Sequence, residues 1–361
     1  MTTMSNLSRD LVEEIHSRVP ITSQRAVRST CKRWNVLSKD QNYTKDLGPA
    51  SKEIMLIMIR GCRAHLMSVN LHGVHNHRYL VDTSIKELGK LNQVEILEVL
   101  HCDGLLLCVT KDYSRLVVWN PYSGQNRWIQ PKSNNFHTLD RFAIGYDINN
   151  NHKVKVLRFY YWSDYVEYEI FDFKSNSWRV LDVTTDWKLH RRGVSLKGNT
   201  YFIAHERFKV DQQGEFLRCF DFTRERFGPR LPLPFHSCLD DSVILSTLRE
   251  EKLAVLFKKC DGCDMEIWIT TRIDANTTVS WRNFLKVDMQ LYPERFRSPC
   301  RSFLVEEKKK VAVIFDIDRK TWTNYKPYMV GEDGYQGEVD LRDSELWMLM
   351  CSYVPSSVKI Q

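Results

Sequence analysis

Two cysteines separated by two residues form half of a typical zinc site, and this chain has one such pair at Cys260-Asp261-Gly262-Cys263. A structural zinc site needs four ligands, and no second pair lies at zinc-finger spacing from this one. An Asp-Gly dipeptide between two strand-like runs is a strong hairpin signal. The pattern therefore predicts a tight turn rather than a metal centre.

Three histidines, His72, His75 and His77, form the other candidate ligand group, around Gly73. No cysteine or carboxylate accompanies them nearby on the chain, so we expect an exposed loop here.

The run Lys308-Lys309-Lys310 predicts a charged hairpin turn rather than a localisation signal.

Motifs that would indicate catalysis are not found in the sequence. There is no Gly-rich phosphate loop, no nucleophile elbow and no His-Glu-x-x-His pattern. Adjacent carboxylates such as Asp240-Asp241 are too common to indicate acid–base chemistry. The sequence predicts no catalytic residue, no metal site and no cofactor.

The composition is that of a folded protein that needs a large core. Of 361 residues, 43% are hydrophobic and 12% aromatic, which predicts two to three domains. Residues 1–10 carry neither a basic start nor an apolar run, so we expect no secretion signal. The longest apolar run, residues 54–59, is far below the roughly 20 residues of a membrane helix, so we expect a soluble protein. The ten cysteines are therefore expected to be reduced and mostly buried.

Positive charge is concentrated at the start of the chain. Residues 1–45 hold eight Lys and Arg against four Asp and Glu, a net charge of +4 out of +7 for the whole chain. The rest is only mildly basic, which gives little support to a general nucleic-acid surface. A basic N-terminal module would instead suit an acidic protein partner.

The first forty residues read as a small helical module. Apolar residues recur three and four apart from Leu7 to Val19, which predicts an amphipathic helix that starts near Ser8 and ends at Pro20. A second helix is predicted after Thr22 or Ser23, with its apolar stripe on Val27, Cys31, Trp34 and Leu37. A module of this size gains little stability alone, so an exposed apolar stripe on it would favour binding to a partner.

From about residue 46 the pattern changes to short β-branched and aromatic runs between turn signals. Examples are residues 115–119, 153–157, 200–204, 252–257 and 310–315. Such frequent punctuation predicts a large all-β domain over residues 46–361, after a domain boundary at 45.

An internal repeat indicates the architecture of this domain. Phe171-Asp172, Phe220-Asp221 and Phe315-Asp316 each have an aromatic residue seven positions after the Phe, and Trp119 and Trp268 occupy related places. We call Trp119, Phe171, Phe220, Trp268 and Phe315 the repeat anchors, and they are spaced by 52, 49, 48 and 47 residues. The position one repeat period before Trp119 lies near Val69. A period near 50 is that of a kelch-like propeller blade, so we predict about six blades, with a large β-sandwich as the alternative. The Asp is expected to order a hairpin turn, and the aromatic residues to pack between blades.

The N-terminal residues resemble the F-box family. The carrying pattern is Asp10-Leu11-x-x-Glu14-Ile15, Arg18-Val19-Pro20 and Arg28-Ser29-Thr30-Cys31-Lys32-x-Trp34-Asn35. The resemblance implies an all-α module of about three helices that binds a Skp-type adaptor and, through it, a cullin–RING ubiquitin ligase. The residues it implies for adaptor binding are Leu7, Asp10, Leu11, Val12, Ile15, Val19, Pro20, Val27, Cys31 and Trp34.

Three positions depart from the usual F-box pattern. Ser8 stands where the family has Pro, His16 where it has an aliphatic residue and Gln24 where it has Leu. Burying one apolar anchor contributes about 1.5–3 kcal/mol, so three polar replacements at the interface would weaken adaptor binding by orders of magnitude. If these side chains reach the rim instead, the cost is small.

The β-domain resembles the F-box-associated domain of plant F-box proteins across roughly residues 95–320. The carrying segments are residues 102–107, 118–121, 144–147, 168–172 with 177–179, and 198–201. The resemblance implies a substrate-recognition role, and it carries over no target-binding residues.

The sequence leaves three functions of the protein open. The first is a non-catalytic receptor subunit of a ubiquitin ligase, in the cytoplasm, the nucleus or both, with an unknown target protein and neither nucleic acid nor membrane as partner. The second is an interaction scaffold that no longer binds the adaptor, because of Ser8, His16 and Gln24. The third is a propeller enzyme or glycan binder, which fold alone does not imply.

Overall fold

A computed structural model describes residues 54–360 of the chain, with gaps. The gaps are residues 76–77, 89–90, 92–93, 133–134, 163–164, 190–191, 208–213, 239, 261–263, 275–277, 289–301, 318–324, 333 and 339–346. The predicted helical module lies outside the described residues.

The described residues form 25 β-strands and one 3-10 turn, Glu307–Lys309. The strands are β1 (Ile54–Arg60), β2 (Arg63–His75), β3 (Arg78–Glu87), β4 (Ile96–Cys102), β5 (Leu105–Thr110), β6 (Leu116–Trp119), β7 (Asn126–Ile129), β8 (Arg141–Asp147), β9 (Lys153–Trp162), β10 (Tyr165–Asp172), β11 (Ser177–Leu181), β12 (Trp187–Leu189), β13 (Val194–Leu196), β14 (Asn199–Glu206), β15 (Phe216–Asp221), β16 (Arg226–Phe227), β17 (Ser242–Leu248), β18 (Lys252–Lys258), β19 (Asp264–Asp274), β20 (Thr278–Asp288), β21 (Ser302–Glu306), β22 (Val311–Ile317), β23 (Tyr325–Gly331), β24 (Gly334–Glu338) and β25 (Trp347–Ser352).

The strands form six antiparallel sheets, which are the blades of a six-bladed β-propeller. Blade 1 is β4–β7, blade 2 is β8–β11, blade 3 is β12–β16, blade 4 is β17–β20 and blade 5 is β21–β24. Blade 6 combines β25 as its innermost strand with β1, β2 and β3. In blade 3 the innermost position is shared by two short strands, β12 and β13, which both pair with β14.

The ring is closed without a gap. Each innermost strand contacts the next, from β4 through β8, β13, β17 and β21 to β25, which contacts β4 again. Six apolar clusters fill the six spaces between neighbouring blades. This arrangement confirms the predicted propeller and shows that the alternative β-sandwich was wrong.

The apolar runs of the sequence follow from this geometry. Every residue of β5 is buried, because alternate side chains point to opposite faces of the blade and both faces are covered. Leu105 and Leu107 enter the cluster shared with blade 2, whereas Leu106 and Cys108 enter the cluster shared with blade 6. A blade strand therefore reads as a continuous apolar run.

The repeat anchors occupy equivalent places in the blades, with one exception. Trp119, Phe171, Phe220 and Trp268, together with Val69 one step back, all lie on the third strand of their blades. Phe171 pairs with Trp178 across the hairpin and Phe220 pairs with Phe227, which explains the seven-residue spacing.

Phe315 is the exception, because it lies on β22, the second strand of blade 5. The third strand of that blade, β23, begins only at Tyr325, and its Tyr328 and Val330 enter the cluster between blades 4 and 5. The assignment of Phe315 to the repeat was therefore wrong. The 13 residues between β20 and β21 shift blade 5 along the sequence.

The predicted role of the Asp after each anchor is confirmed in two blades. Asp172 Oδ1 accepts hydrogen bonds from the N–H groups of Lys174 and Ser175. Asp221 Oδ1 does the same for the N–H groups two and three residues further on. In blade 1 the carboxamide of Asn120 has this role.

Candidate functional site

All residues predicted to bind an adaptor lie outside the described residues: Leu7, Asp10, Leu11, Val12, Ile15, Val19, Pro20, Val27, Cys31 and Trp34. Their contacts stay a prediction. The surfaces that the structure describes belong to the propeller, whose two ends differ.

One end carries the turn that follows each innermost strand, and we call it the inner-turn face. Its turns include residues 103–104, 197–198 and 249–250. The chain enters the propeller on this face, because Ile54 at the start of β1 is close to Ser352 at the end of β25 in the paired register. The described part of the chain therefore begins on the inner-turn face.

Two inner turns from opposite blades meet on the propeller axis. His101, at the end of β4, has its Nε2 atom 3.1 Å from Glu250 Oε1 in the β17–β18 turn. The backbone N–H of Gly104 donates to the same Nε2 atom at 2.9 Å. Asp103 also contacts Glu250, and the ring of Tyr353 packs edge-on against His101 at 5.2 Å.

The His101–Glu250 contact joins two neutral groups and is not an ion pair. Burial lowers the pKa of His101 to about 3, although a hydrogen bond to the Val354 backbone opposes the shift. Burial and the charge of Asp103 raise the pKa of Glu250 to about 8. The one lone pair of the neutral His101 Nε2 accepts the Gly104 N–H, so the neutral Glu250 carboxyl lies beside the ring and its Oε1 atom makes no hydrogen bond.

A second polar layer crosses the axis nearer the opposite face. Arg192, just before β13, forms an ion pair with Glu98 of β4 at 2.8 Å and donates to the Val99 carbonyl at 2.5 Å. The carboxylates that converge on the axis are thus packed against other side chains.

Two cavities open between blades rather than on the axis. The first, of about 380 Å³, lies between blades 6 and 1, beside the β1–β2 turn and the β3–β4 connection. Its walls are polar and apolar in about equal measure: Leu88, Leu91, Ile96 and Trp119 are among its apolar residues, and Arg63 pairs with Glu87 in its lining.

The second cavity, of about 350 Å³, lies on the inner-turn face between blades 1 and 2, and its lining is basic. We call it the basic groove. Its charged lining residues are Arg127 from β7, Lys153 and Lys155 from β9, Asp172 at the end of β10, and Lys174. Sequence reasoning missed this site, because its cations come from three separate segments.

The C-terminal tail crosses the inner-turn face of blade 1. The Asn120 side chain donates to the carbonyls of Ser356 and Val358 at 3.0 and 2.8 Å. Gln125 exchanges two hydrogen bonds with the backbone of Ile360. Asn120 is fully buried, so the tail is an integral part of the fold.

A buried ionic network supports blade 2. Arg158 of β9 pairs with Asp140 at 2.9 Å and with Glu169 at 2.8 Å, and all three side chains are largely or wholly buried. Lys132 approaches Glu169 from the surface at 3.8 Å. None of these four residues lines either of the two cavities.

The candidate ligand residues are placed as follows. Cys260 follows β18, which pairs antiparallel with β19, but residues 261–263 lie outside the described residues, so the tight turn stays a prediction. His72 and His75 lie in β2, so the exposed loop predicted there was wrong: the hairpin extends to His75, and His77 is not described. Lys308 and its two neighbours form the predicted turn between β21 and β22.

The seven cysteines of the described residues are all free. Cys102, Cys108 and Cys219 are buried, whereas Cys238 and Cys260 are exposed. In the part of the chain that the structure describes, no group of three or more His, Cys, Asp or Glu residues could hold a metal ion. No helix among the described residues has the length and apolar character to span a membrane.

Residues 55–360 match the family model of the F-box associated beta propeller domain. The chain belongs to the F-box-associated propeller family. Residues 4–46 match the F-box domain model. The family resemblance of both parts of the chain is thereby confirmed.

Relatives from Arabidopsis thaliana match along nearly the whole chain. One described as an F-box protein is 55% identical, over 97% of this chain and 94% of its own length. A second F-box protein is 52% identical, over 100% of this chain and 99% of its own length. A third, described as an F-box/kelch-repeat protein, is 47% identical over the full length of both chains.

Proposed function

We propose that this protein is the substrate-recognition subunit of an SCF-type ubiquitin ligase. The observation that carries the proposal is that one chain joins a segment matching the F-box domain to an F-box-associated propeller. In this proposal residues 1–45 dock a Skp-type adaptor, and residues 46–361 hold the target protein. The chain itself is non-catalytic and acts in the cytoplasm, the nucleus or both.

The adaptor-docking surface in this proposal is the apolar stripe of the two predicted helices. Its residues are Leu7, Asp10, Leu11, Val12, Ile15, Val19, Pro20, Val27, Cys31 and Trp34. The excess of positive charge in residues 1–45 supports encounter with an acidic partner.

The tether between the two parts limits where the adaptor can lie. The F-box match ends at residue 46 and β1 begins at Ile54, eight residues later. A fully extended chain of this length spans at most about 28 Å. The docking module therefore stays close to the inner-turn face. A target bound to the propeller is held at high effective concentration near the ligase, which accelerates transfer without any catalytic residue here.

A pulldown of the full chain with a purified Skp-type adaptor tests the proposal. A Ser8→Pro, His16→Leu, Gln24→Leu variant serves as the matched comparison, because it restores the usual F-box residues. We expect the native chain to retain the adaptor and the variant to retain it more strongly, since each apolar anchor adds about 1.5–3 kcal/mol when buried.

The two other outcomes are equally informative. Retention by the variant alone would support the scaffold function, in which the polar residues at these three positions prevent docking. Retention by neither chain would overturn the proposal.

A further inference from the structure

Two cysteines lie together on the propeller surface. Of the seven cysteines among the described residues, only Cys238 and Cys260 are exposed, and neither forms a disulfide. Cys238 lies in the connection between β16 and β17, and Cys260 lies just after the end of β18. Both lie on the face opposite the inner-turn face, because the inner turn at residues 249–250 joins the other ends of β17 and β18. Both residues are therefore accessible to an oxidant in solution.

One buried carboxylate holds the backbones of the two cysteines together. Asp241 Oδ2 accepts the N–H of Cys238 at 2.8 Å, and Asp241 Oδ1 accepts the N–H of Cys260 at 3.0 Å. Asp241 is only 6% exposed, and its own N–H donates to the Cys238 carbonyl at 3.0 Å. Two N–H groups that share one carboxylate are close neighbours, which is consistent with the Cα separation of about 4.4–6.8 Å in disulfides.

A stacked pair of rings aligns the same two segments. Phe235 and Phe257, each three positions before one of the cysteines, have ring centroids 4.1 Å apart and an angle of 9° between the ring planes. Phe257 is fixed in β18, where it pairs with Val243 of β17. The two segments thus run side by side from the rings to the shared carboxylate, so little backbone movement is needed to bring the two thiols into contact.

We propose that Cys238 and Cys260 form an oxidation site, at which hydrogen peroxide converts the two thiols into one disulfide. One thiolate attacks a peroxide oxygen, which breaks the O–O bond, and the products are a sulfenic acid and, once the leaving oxygen takes up a proton, water. The second thiolate attacks the sulfenic sulfur, so that the S–S bond forms while the S–O bond breaks and a second water leaves. Two thiols and one peroxide thus give one disulfide and two waters.

The disulfide would tie the connection between blades 3 and 4 to blade 4 itself. It closes the stretch from residue 238 to residue 260, which contains β17 and β18. Such a cross-link removes conformations of the unfolded chain, so oxidation should raise the melting temperature by about 5 °C. The proposal is independent of the proposed function, since it involves neither the adaptor nor a target.

Peptide mapping of the full-length protein tests the proposal. Cleavage before each Asp by the protease Asp-N places the three neighbouring cysteines in separate peptides: residues 221–239 contain Cys238, residues 241–260 contain Cys260 and residues 261–263 contain Cys263. The reduced chain is treated with hydrogen peroxide, the remaining thiols are alkylated, and the digest is analysed by mass spectrometry without reduction. We expect the first two peptides to be linked, and dithiothreitol to separate them.

Two single substitutions are matched controls, since each removes one thiol. Cys263→Ser should form the same linked pair and show the same rise in melting temperature on oxidation, whereas Cys238→Ser should show neither. Thermal melting of the reduced variants checks that both fold. A bond from Cys260 to Cys263 in the native chain, a disulfide between two chains, or recovery of Cys238 and Cys260 as two unlinked residues would overturn the proposal.

Discussion

The buried Glu250 carboxyl on the propeller axis makes a specific prediction for Glu250→Gln. The carboxyl of Glu250 keeps its proton up to a pKa of about 8 in the folded protein, against an ordinary value of 4.5. A Gln side chain has nearly the same shape as the protonated acid and, like it, carries no charge. We therefore expect the variant and the native protein to have similar free energies of unfolding near pH 5.

The free energies of unfolding of the native protein and the variant should diverge as the pH rises. Between pH 4.5 and 8 the folded native chain binds one proton more at Glu250 than the unfolded chain does. Its free energy of unfolding then falls by about 1.4 kcal/mol per pH unit, or about 5 kcal/mol in total as an upper bound. The amide of the variant does not titrate in this range, so the variant becomes the more stable protein by a margin that grows through this window.

Other groups on the axis do not obscure this comparison. His101 also contributes to the pH dependence, because its lowered pKa makes both proteins lose stability as the pH falls below about 6.5. Tyr146 and Cys102 have pKa values raised by burial, which keeps them neutral at these pH values. Asp103 and Arg249 are present in both chains, so the difference between them isolates Glu250.

Urea unfolding followed by Trp fluorescence at pH 5, 6, 7 and 8 measures this difference directly. Glu251→Gln is the control, since it makes the same change at the next, exposed residue. Its difference from the native protein should stay constant with pH. If the Glu250→Gln difference were also constant, a neutral Glu250 carboxyl in the folded protein would be refuted.

Three further predictions concern the stability of the propeller. Arg158→Leu leaves two buried carboxylates without their partner, so urea unfolding should show a free energy of unfolding lower by about 3–5 kcal/mol. The Lys132 side chain is 62% exposed, so Lys132→Ala should lower the same free energy by under about 1 kcal/mol. Gly104→Ala should lower the melting temperature more than Gly61→Ala. Both glycines have positive φ, but a Cβ added at Gly104 would lie 2.4 Å from Ser356 Oγ, whereas a Cβ added at Gly61 would have no atom within 4 Å. Equal shifts would contradict this. Asn120→Ala should lower the free energy of unfolding by about 2–4 kcal/mol, because its hydrogen bonds are lost. The backbone amides of the C-terminal tail should also exchange hydrogen faster in this variant. Unchanged exchange would show that the tail is held by other contacts.

Sequence reasoning succeeded where the fold depends on local repetition. The spacing of Trp119, Phe171 and Phe220 revealed the blades, because each blade uses the same hairpin and the same cross-strand pair. The error at Phe315 arose because an added connection before β21 shifts the register, which an average period does not show.

The contacts that the sequence did not reveal join distant blades. His101 and Glu250 are 149 positions apart and meet only because the ring closes. The basic groove likewise combines Arg127 with the start of β9 and the end of β10. A lysine at the end of a strand looks like an ordinary solvent-exposed residue until the neighbouring blade is in place.

The pairing of β25 with β1 sets the order in which the protein can be completed during synthesis. Blade 6 starts with the first strands to leave the ribosome and ends with the last one, so the apolar edge of β1 waits for nearly the whole chain to be made. Any product that stops before Trp347 exposes this edge, and unpaired edges of buried strands promote aggregation. The closing strand thus makes completion of blade 6 depend on synthesis of the chain as far as β25.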